Sequence, residues 1–272
     1  MRIACIGECT NDFYLEQGQG YIGGISLNCA VHARRCGAQH VALVSCVGDD
    51  LPGQRARQRL VEEGIDISHL HTRPGRTPQQ DIRLLPDGER VFPPGGYHLG
   101  VLQDFRLSAD DLAFIRQHDV VDLALFTQVQ PLFEQVLHDR GFTGRRAADL
   151  LDFGDYGRQY LRIADFMNAL DLLFISGGED TLAALAPLSR DFAGCLVVTM
   201  GVRGSAALVN GTMSSELDCD DIHLETLVHT SGPVFSAALP LAEWKNRSGR
   251  DLLTAFIETA LARIGRDATP PR

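Results

Sequence analysis

The chain has 272 residues, 44% of them hydrophobic, with 25 Lys and Arg against 35 Asp and Glu for a net charge of −10. A large core can be buried at that composition, and α/β folds of this length often remain single domains. The acidic balance argues against a nucleic-acid partner, which needs clustered cations, and the longest apolar runs are strand-length, too short to span a bilayer. Met1-Arg2 runs straight into Ile3–Gly7, which reads as a first strand and not as a signal peptide. Seven cysteines at 5, 9, 29, 36, 46, 195 and 219 are scattered without a second cluster that would complete a zinc site. Buried single thiols in a reducing cytoplasm are the expectation.

In chain order, Ile3–Gly7 is followed by a helix over Ser26–Arg35 and a strand over Val41–Val47. Leu51–Glu63 reads as a helix closed by Gly64. Val120–Phe126, Arg146–Leu150, Leu170–Ile175 and Cys195–Met200 read as further buried strands, with a helix over Asp180–Leu188 that Pro187 should break before Ser189. Leu252–Ile264 has strong amphipathic periodicity, and Asp267–Arg272 reads as a frayed tail. Strands alternating with helices predict a mostly parallel sheet covered on both faces. Two stretches break the rhythm. Phe13–Ile22 reads as a hairpin, and Arg76–Phe92 as a second one around Pro86-Asp87-Gly88. Both are expected to form a small separate β-layer over a ligand cleft.

Four constellations carry chemistry. In Gly7-Glu8-Cys9-Thr10-Asn11-Asp12, a carboxylate follows the first strand, where α/β sheets bind ligands; an exposed acidic loop is the bland alternative. Gly23-Gly24-Ile25-Ser26-Leu27-Asn28 lets the chain turn tightly and places an amide one helical turn in; an ordinary junction with Ser26 as N-cap explains it equally. Val47-Gly48-Asp49-Asp50-Leu51-Pro52 is ordinary helix-start chemistry. Thr199-Met200-Gly201-Val202-Arg203-Gly204 ends a strand in a glycine turn that either exposes N–H groups to a phosphate or simply makes a hairpin.

In this order and at these spacings, the four pieces resemble the ribokinase-like (PfkB) carbohydrate kinases, from Arg2 to about Ile264. Ile65-Asp66-Ile67-Ser68-His69-Leu70-His71-Thr72, Arg90-Val91-Phe92 and Asp152-Phe153-Gly154-Asp155 are similar to the fructosamine kinases among them. The resemblance implies a ribokinase-like three-layer α/β sandwich over 1–266, with a β-lid from 13–22 and 76–92 and a flexible tail at 267–272. It implies ATP-dependent phosphorylation of a sugar or sugar amine in the cytoplasm, with ATP and Mg2+ as cofactors and a homodimer through the β-lid. Asp12, Gly23, Gly24 and Asn28 then contact the sugar, and Thr199, Gly201, Gly204, Thr230 and Gly232 lie beside the nucleotide. Glu179 stands where the family's Asn-x-x-Glu motif helps organise magnesium, although Ser176 replaces the Asn.

One departure stands out. The family signature Asp-Thr-x-Gly-Ala-Gly-Asp-x-Phe supplies N–H donors for the transferring phosphoryl group and ends in the Asp that accepts the sugar proton. Here the run is His229-Thr230-Ser231-Gly232-Pro233-Val234-Phe235-Ser236-Ala237-Ala238-Leu239. The base is missing around Val234 and Phe235 under either alignment, and Pro233 has no N–H to donate. Neither His229 nor Asp220 and Asp221 convincingly replaces it. The expectation is weak or absent phosphotransfer, against the alternatives of a working kinase with another base and of a non-catalytic sugar-binding relative. Rebuilding Gly-Ala-Gly-Asp there is expected to restore activity by orders of magnitude if the rest of the site is intact.

Overall fold

A computed structural model describes residues 1–86, 90–190 and 192–209, together with the backbone of the short strands 212–213, 222–223 and 228–229. Thr230, Gly232, Pro233, Val234 and Phe235, Asp220 and Asp221, the Asp87-Gly88 turn, the Leu252–Ile264 helix and the Asp267–Arg272 tail lie outside the described residues. Two compact units divide the chain at Gln159 and Tyr160.

The first unit opens with β1 (Arg2–Ile6), β2 (Thr10–Tyr14) and β3 (Gln19–Gly23), followed by α1 (Ile25–Arg35), β4 (His40–Gly48), α2 (Leu51–Glu62) and β5 (Leu70–Arg73). It continues with β6 (Gln79–Leu84), β7 (Arg90–Val91), β8 (Tyr97–His98), α3 (Ala109–Ile115), β9 (Val120–Ala124), α4 (Gln130–Leu137) and β10 (Arg145–Asp149). Five strands pair in parallel in the order β10, β9, β1, β4, β5. Cys5, Leu43, Leu27, Val31, Leu60 and Ile65 are buried together where α1 and α2 cover this sheet. At about 25 cal/mol per Å2, such burial is the main favourable term holding the helices down.

The interrupted rhythm has a clear cause: β2, β3, β6, β7 and β8 form a sheet of their own, ordered β3, β2, β6, β7 with β8 also on β6. Its strands are short and half polar, so one face stays wet. The hairpin turn sits at Gly18, at φ 61°, where any side chain would be strained. Tyr97–His98 is a strand the sequence pattern does not announce, because two residues carry no period.

The second unit holds α5 (Ala164–Met167), β11 (Leu172–Ser176), α6 (Glu179–Ser189), β12 (Cys195–Thr199), β13 (Ser205–Val209) and β14 (Thr212–Met213). β11 and β12 are parallel, β13 and β14 continue antiparallel, and β15 (Ile222–His223) pairs with β16 (Val228–His229). Mixed α/β architecture with mostly parallel central strands is as expected from the sequence.

Two expectations need correction. Helix α6 does not break at Pro187 but runs through it to Ser189. The proline sits in the last turn and forfeits one backbone bond there, while the Ser189 hydroxyl donates to Ala186 O at 2.9 Å. Ser26 is not the N-cap of α1. Gly24 holds that position at φ 103°, and the Ser26 hydroxyl donates to Ile6 O instead.

Candidate functional site

The first unit gathers its polar groups where β1 ends and α1 begins. Gly7, at φ 144°, turns the chain out of β1, and a Cβ there would lie 2.5 Å from Ser26 Oγ. Glu8 follows, 6% exposed, and caps α1 from a distance: Ile25 N–H donates to its Oε1 at 3.1 Å, and Tyr97 O–H donates to its Oε2 at 2.5 Å. Burial pushes the Glu8 carboxyl up; the Tyr97 and Ile25 bonds pull it back, and Asp12 adds to the rise. Burial and the same carboxylate raise the Tyr97 phenol in turn. Tyr97 stands edge-on to Phe126, so β8 is tied to the end of β9 as well as to α1.

Asp12 lies not in a loop but within β2, half-buried, accepting from Thr10 Oγ1 at 2.8 Å. Burial raises its carboxyl; the Thr10 bond and the charge of Arg90 lower it. Gly23 is glycine because its neighbour is that carboxylate: a Cβ there would sit 2.3 Å from Asp12 Oδ2. At Gly24 a Cβ would fall 3.0 Å from Glu8 O and 3.1 Å from Thr10 N. Asn28 is exposed one turn into α1, its N–H donating to Gly24 O at 2.9 Å. Asp12 and Gly23 are thereby in direct contact, Gly24 follows at the junction against Glu8 and Thr10, and Asn28 lies a turn further on.

The helix-start reading at Asp50 is correct in detail. Its Oδ1 accepts from Gly53 N–H at 3.0 Å and from Thr77 Oγ1 at 2.5 Å, and its Oδ2 from Thr77 N–H at 2.9 Å. Those bonds outweigh burial and lower its pKa. They also fix the segment leading into β6.

In the second unit, Thr199 ends β12 and its Oγ1 pairs with Ser176 Oγ at 3.1 Å. Gly201 and Gly204 have φ of 61° and 85°, with no described residue within 4 Å of an added Cβ. The turn between β12 and β13 is a hairpin turn, closed by Met200 N–H to Gly204 O at 2.8 Å. Glu179 opens α6 with its side chain 83% exposed and takes a 3.2 Å hydrogen bond from Arg203 Nη1. Ser176, Glu179, Thr199 and the glycine turn thus meet along one rim. An exposed carboxylate is a ligand type that magnesium takes, and Arg203 is the competing partner of Glu179.

Glu8 and Tyr97 were not singled out from the sequence. Glu8 is one of six residues in a polar run, and nothing local marks it as the buried one. A third grouping crosses the sheet: Cys5, Cys29 and Asp122 offer ligand atoms within 4.8 Å of one another. Among the described residues Asp122 Oδ2 has no hydrogen-bond partner, and burial lifts its carboxyl to about 7, with Cys29 lowering it and Asp149 raising it.

Fructoselysine 6-kinase of Escherichia coli K12 is 35% identical to this chain over 209 residues, spanning 75% of this chain and 76% of that protein. The chain belongs to the PfkB family of carbohydrate kinases. Fold comparison agrees. The PfkB protein from Polaromonas superposes with a TM-score of 0.64 at 16% identity, covering 96% of this chain and 94% of the other. Arabidopsis thaliana ribokinase complexed with ribose and ATP gives 0.62 at 17%, covering 96% and 91%. The fold of this PfkB-family chain is ribokinase-like. Residues 202–260 also match the model of the MmgE/PrpD N-terminal domain. Among the described residues, no helix is long and apolar enough to cross a membrane.

Proposed function

We propose that this PfkB-family chain binds a sugar or sugar amine at the Asp12–Asn28 junction and transfers phosphate from ATP slowly or not at all. The observation that carries this reading is the match of residues 202–260 to a different family. The run His229–Leu239, where the PfkB signature is due, falls wholly inside it. That supports replacement of the kinase's last segment over point decay of its signature, and replacement removes the base and the phosphoryl-binding N–H groups together. A positioned base contributes roughly 10² to 10⁴ in rate, and one oxyanion donor about 10² to 10³.

The sugar side supports the binding half. Asp12 is packed against Gly23, and the β-layer that carries it joins α1 through Glu8 and Tyr97. Thr199, Gly201 and Glu179 remain as the nucleotide and Mg2+ rim, with Gly204, Thr230 and Gly232 inside the 202–260 match. Leu84, Val91, Phe92 and Tyr21 expose apolar surface on the β-layer, which supports a homodimer through that lid.

Three proteins test the reading: the natural chain, a repair of Gly232-Pro233-Val234 to Gly-Ala-Gly-Asp, and a graft replacing everything after Val209 with the matching end of the Escherichia coli kinase. Each is assayed for phosphotransfer from ATP to fructoselysine, fructose and ribose, and for binding of the same sugars. The natural chain and the repair are expected to stay inactive while the graft turns over. Turnover by the natural chain at about 1 s⁻¹ or faster, the ordinary kinase range, refutes the proposal. Activity of the repair equal to that of the graft refutes replacement and restores decay.

A further inference from the structure

We propose that His69, His71 and Asp111 form a divalent transition-metal site of the zinc class, which clamps edge strand β5 to helix α3. The site shares no residue with the sugar and nucleotide groups.

Its geometry follows from local structure. His69 and His71 are two residues apart at and within β5, so both rings project from one face of the strand. β5 pairs only with β4 among the described residues, which leaves that flank of the sheet available to α3. Asp111 is the third residue of α3 and closes its capping box with Ser108. Ser108 N–H and Oγ–H both donate to Asp111 Oδ2, at 2.8 and 2.7 Å. That fixes the carboxylate and reserves Oδ1 for the histidines, His69 Nδ1 at 2.7 Å and His71 Nε2 at 2.8 Å. The three ligand atoms lie within 4.8 Å of one another.

The surroundings are those of a prepared site. The His69 ring is stacked on Phe114 at 4.0 Å, and His71 lies 5.2 Å from Phe105, so neither imidazole is free to turn away. Ser108 plays the part that outer-shell hydrogen bonds play in metal centres, holding a ligand in its binding orientation. Asp111 is 1% exposed, while the His71 side chain is 40% exposed, which gives an ion one way in and room for a water as fourth ligand. Two neutral imidazoles and a carboxylate suit zinc, and they would balance its charge to a single positive at a half-open surface. Without an ion, the same two nitrogens must both carry protons toward one oxygen. Binding moves each proton to the ring's other nitrogen and needs only small displacement, since metal–nitrogen bonds are about 2.0–2.1 Å.

The alternative is a hydrogen-bonded staple that never holds metal, and titration separates the two. Untagged, chelator-treated full-length chain is titrated with Co2+ and followed by its visible spectrum, then with Zn2+ in competition. Expected is one equivalent of Co2+ with bands of nitrogen and oxygen coordination and no thiolate charge-transfer band, displaced by Zn2+. His71→Gln, at a half-exposed ring, should keep the fold and weaken binding at least about 100-fold, and Asp111→Asn should do likewise. Saturable binding that survives H71Q unchanged overturns the proposal. So does a thiolate band, which would assign the ion to the cysteines, and so does the lack of saturable binding at equimolar ion.

Discussion

Replacing Tyr97 by Phe tests whether Glu8 holds the β-layer to α1. The substitution removes one O–H donor at 2.5 Å from Glu8 Oε2 and leaves that oxygen without its partner in a pocket where Glu8 is 6% exposed. A hydrogen bond to a charged group is worth about 1.5–3 kcal/mol net. Glu8→Ala removes the same bond and the 3.1 Å acceptor for Ile25 N–H, an N-cap type contact of about 1 kcal/mol, but it also releases a carboxylate that burial penalises. About 2 kcal/mol is therefore expected for each single change. With m of ~3 kcal/mol/M in urea, that moves the midpoint by ~0.7 M in a circular-dichroism titration. The double variant should cost about 1–2 kcal/mol less than the sum, because both singles break one shared bond. The pH dependence has a definite sign. Burial raises the folded Glu8 pKa, so its ionisation costs stability as pH rises from the ordinary carboxylate range through the raised value. Losing the Tyr97 donor makes the ionised form worse still, so the Y97F deficit should be larger at pH 7 than at pH 4. A midpoint shift below ~0.2 M, an additive cycle or a deficit flat in pH would each refute the reasoning.

Asp122→Asn should stabilise the chain relative to wild type as pH rises from 4 to 8, by about 2–4 kcal/mol at ~1.4 kcal/mol per unit of pKa shift. The folded carboxyl, lifted to about 7, holds a proton that the unfolded chain releases near 4, so wild type alone loses stability across that window. Urea midpoints at both pH values check it, and parallel curves sink it. Gly23→Ala should drive its methyl into Asp12 Oδ2 and weaken binding of fructoselysine, or whichever panel sugar the natural chain takes, by at least about 10-fold, with a stability cost of about 1–3 kcal/mol. Calorimetric titration reads the affinity; unchanged affinity with lost stability would make the Asp12 contact structural only.

The alternation of apolar strands with helices was legible because burial on both faces of a parallel sheet writes continuous apolar runs, as in His40–Gly48 and Val120–Ala124. The two interruptions were legible too, since hairpin residues such as Gly18 and Gly20 have local causes. The contacts of Glu8 were not, because its partners stand 17 and 89 residues away and no local pattern encodes them. Asp111 shows the same limit: its capping role follows from Ser108 three residues earlier, whereas its histidines come from a strand some forty residues upstream. Likewise, a proline within the last turn of α6 reads as a breaker by propensity, yet the helix continues, because the ring already has a helical φ and forfeits only one bond. The sequence by itself determined the fold class and set a carboxylate and paired glycines after β1. Tertiary structure alone decided which carboxylate would be buried, capped or shared between two imidazoles, because burial and partner choice are set by chain segments that meet only after folding.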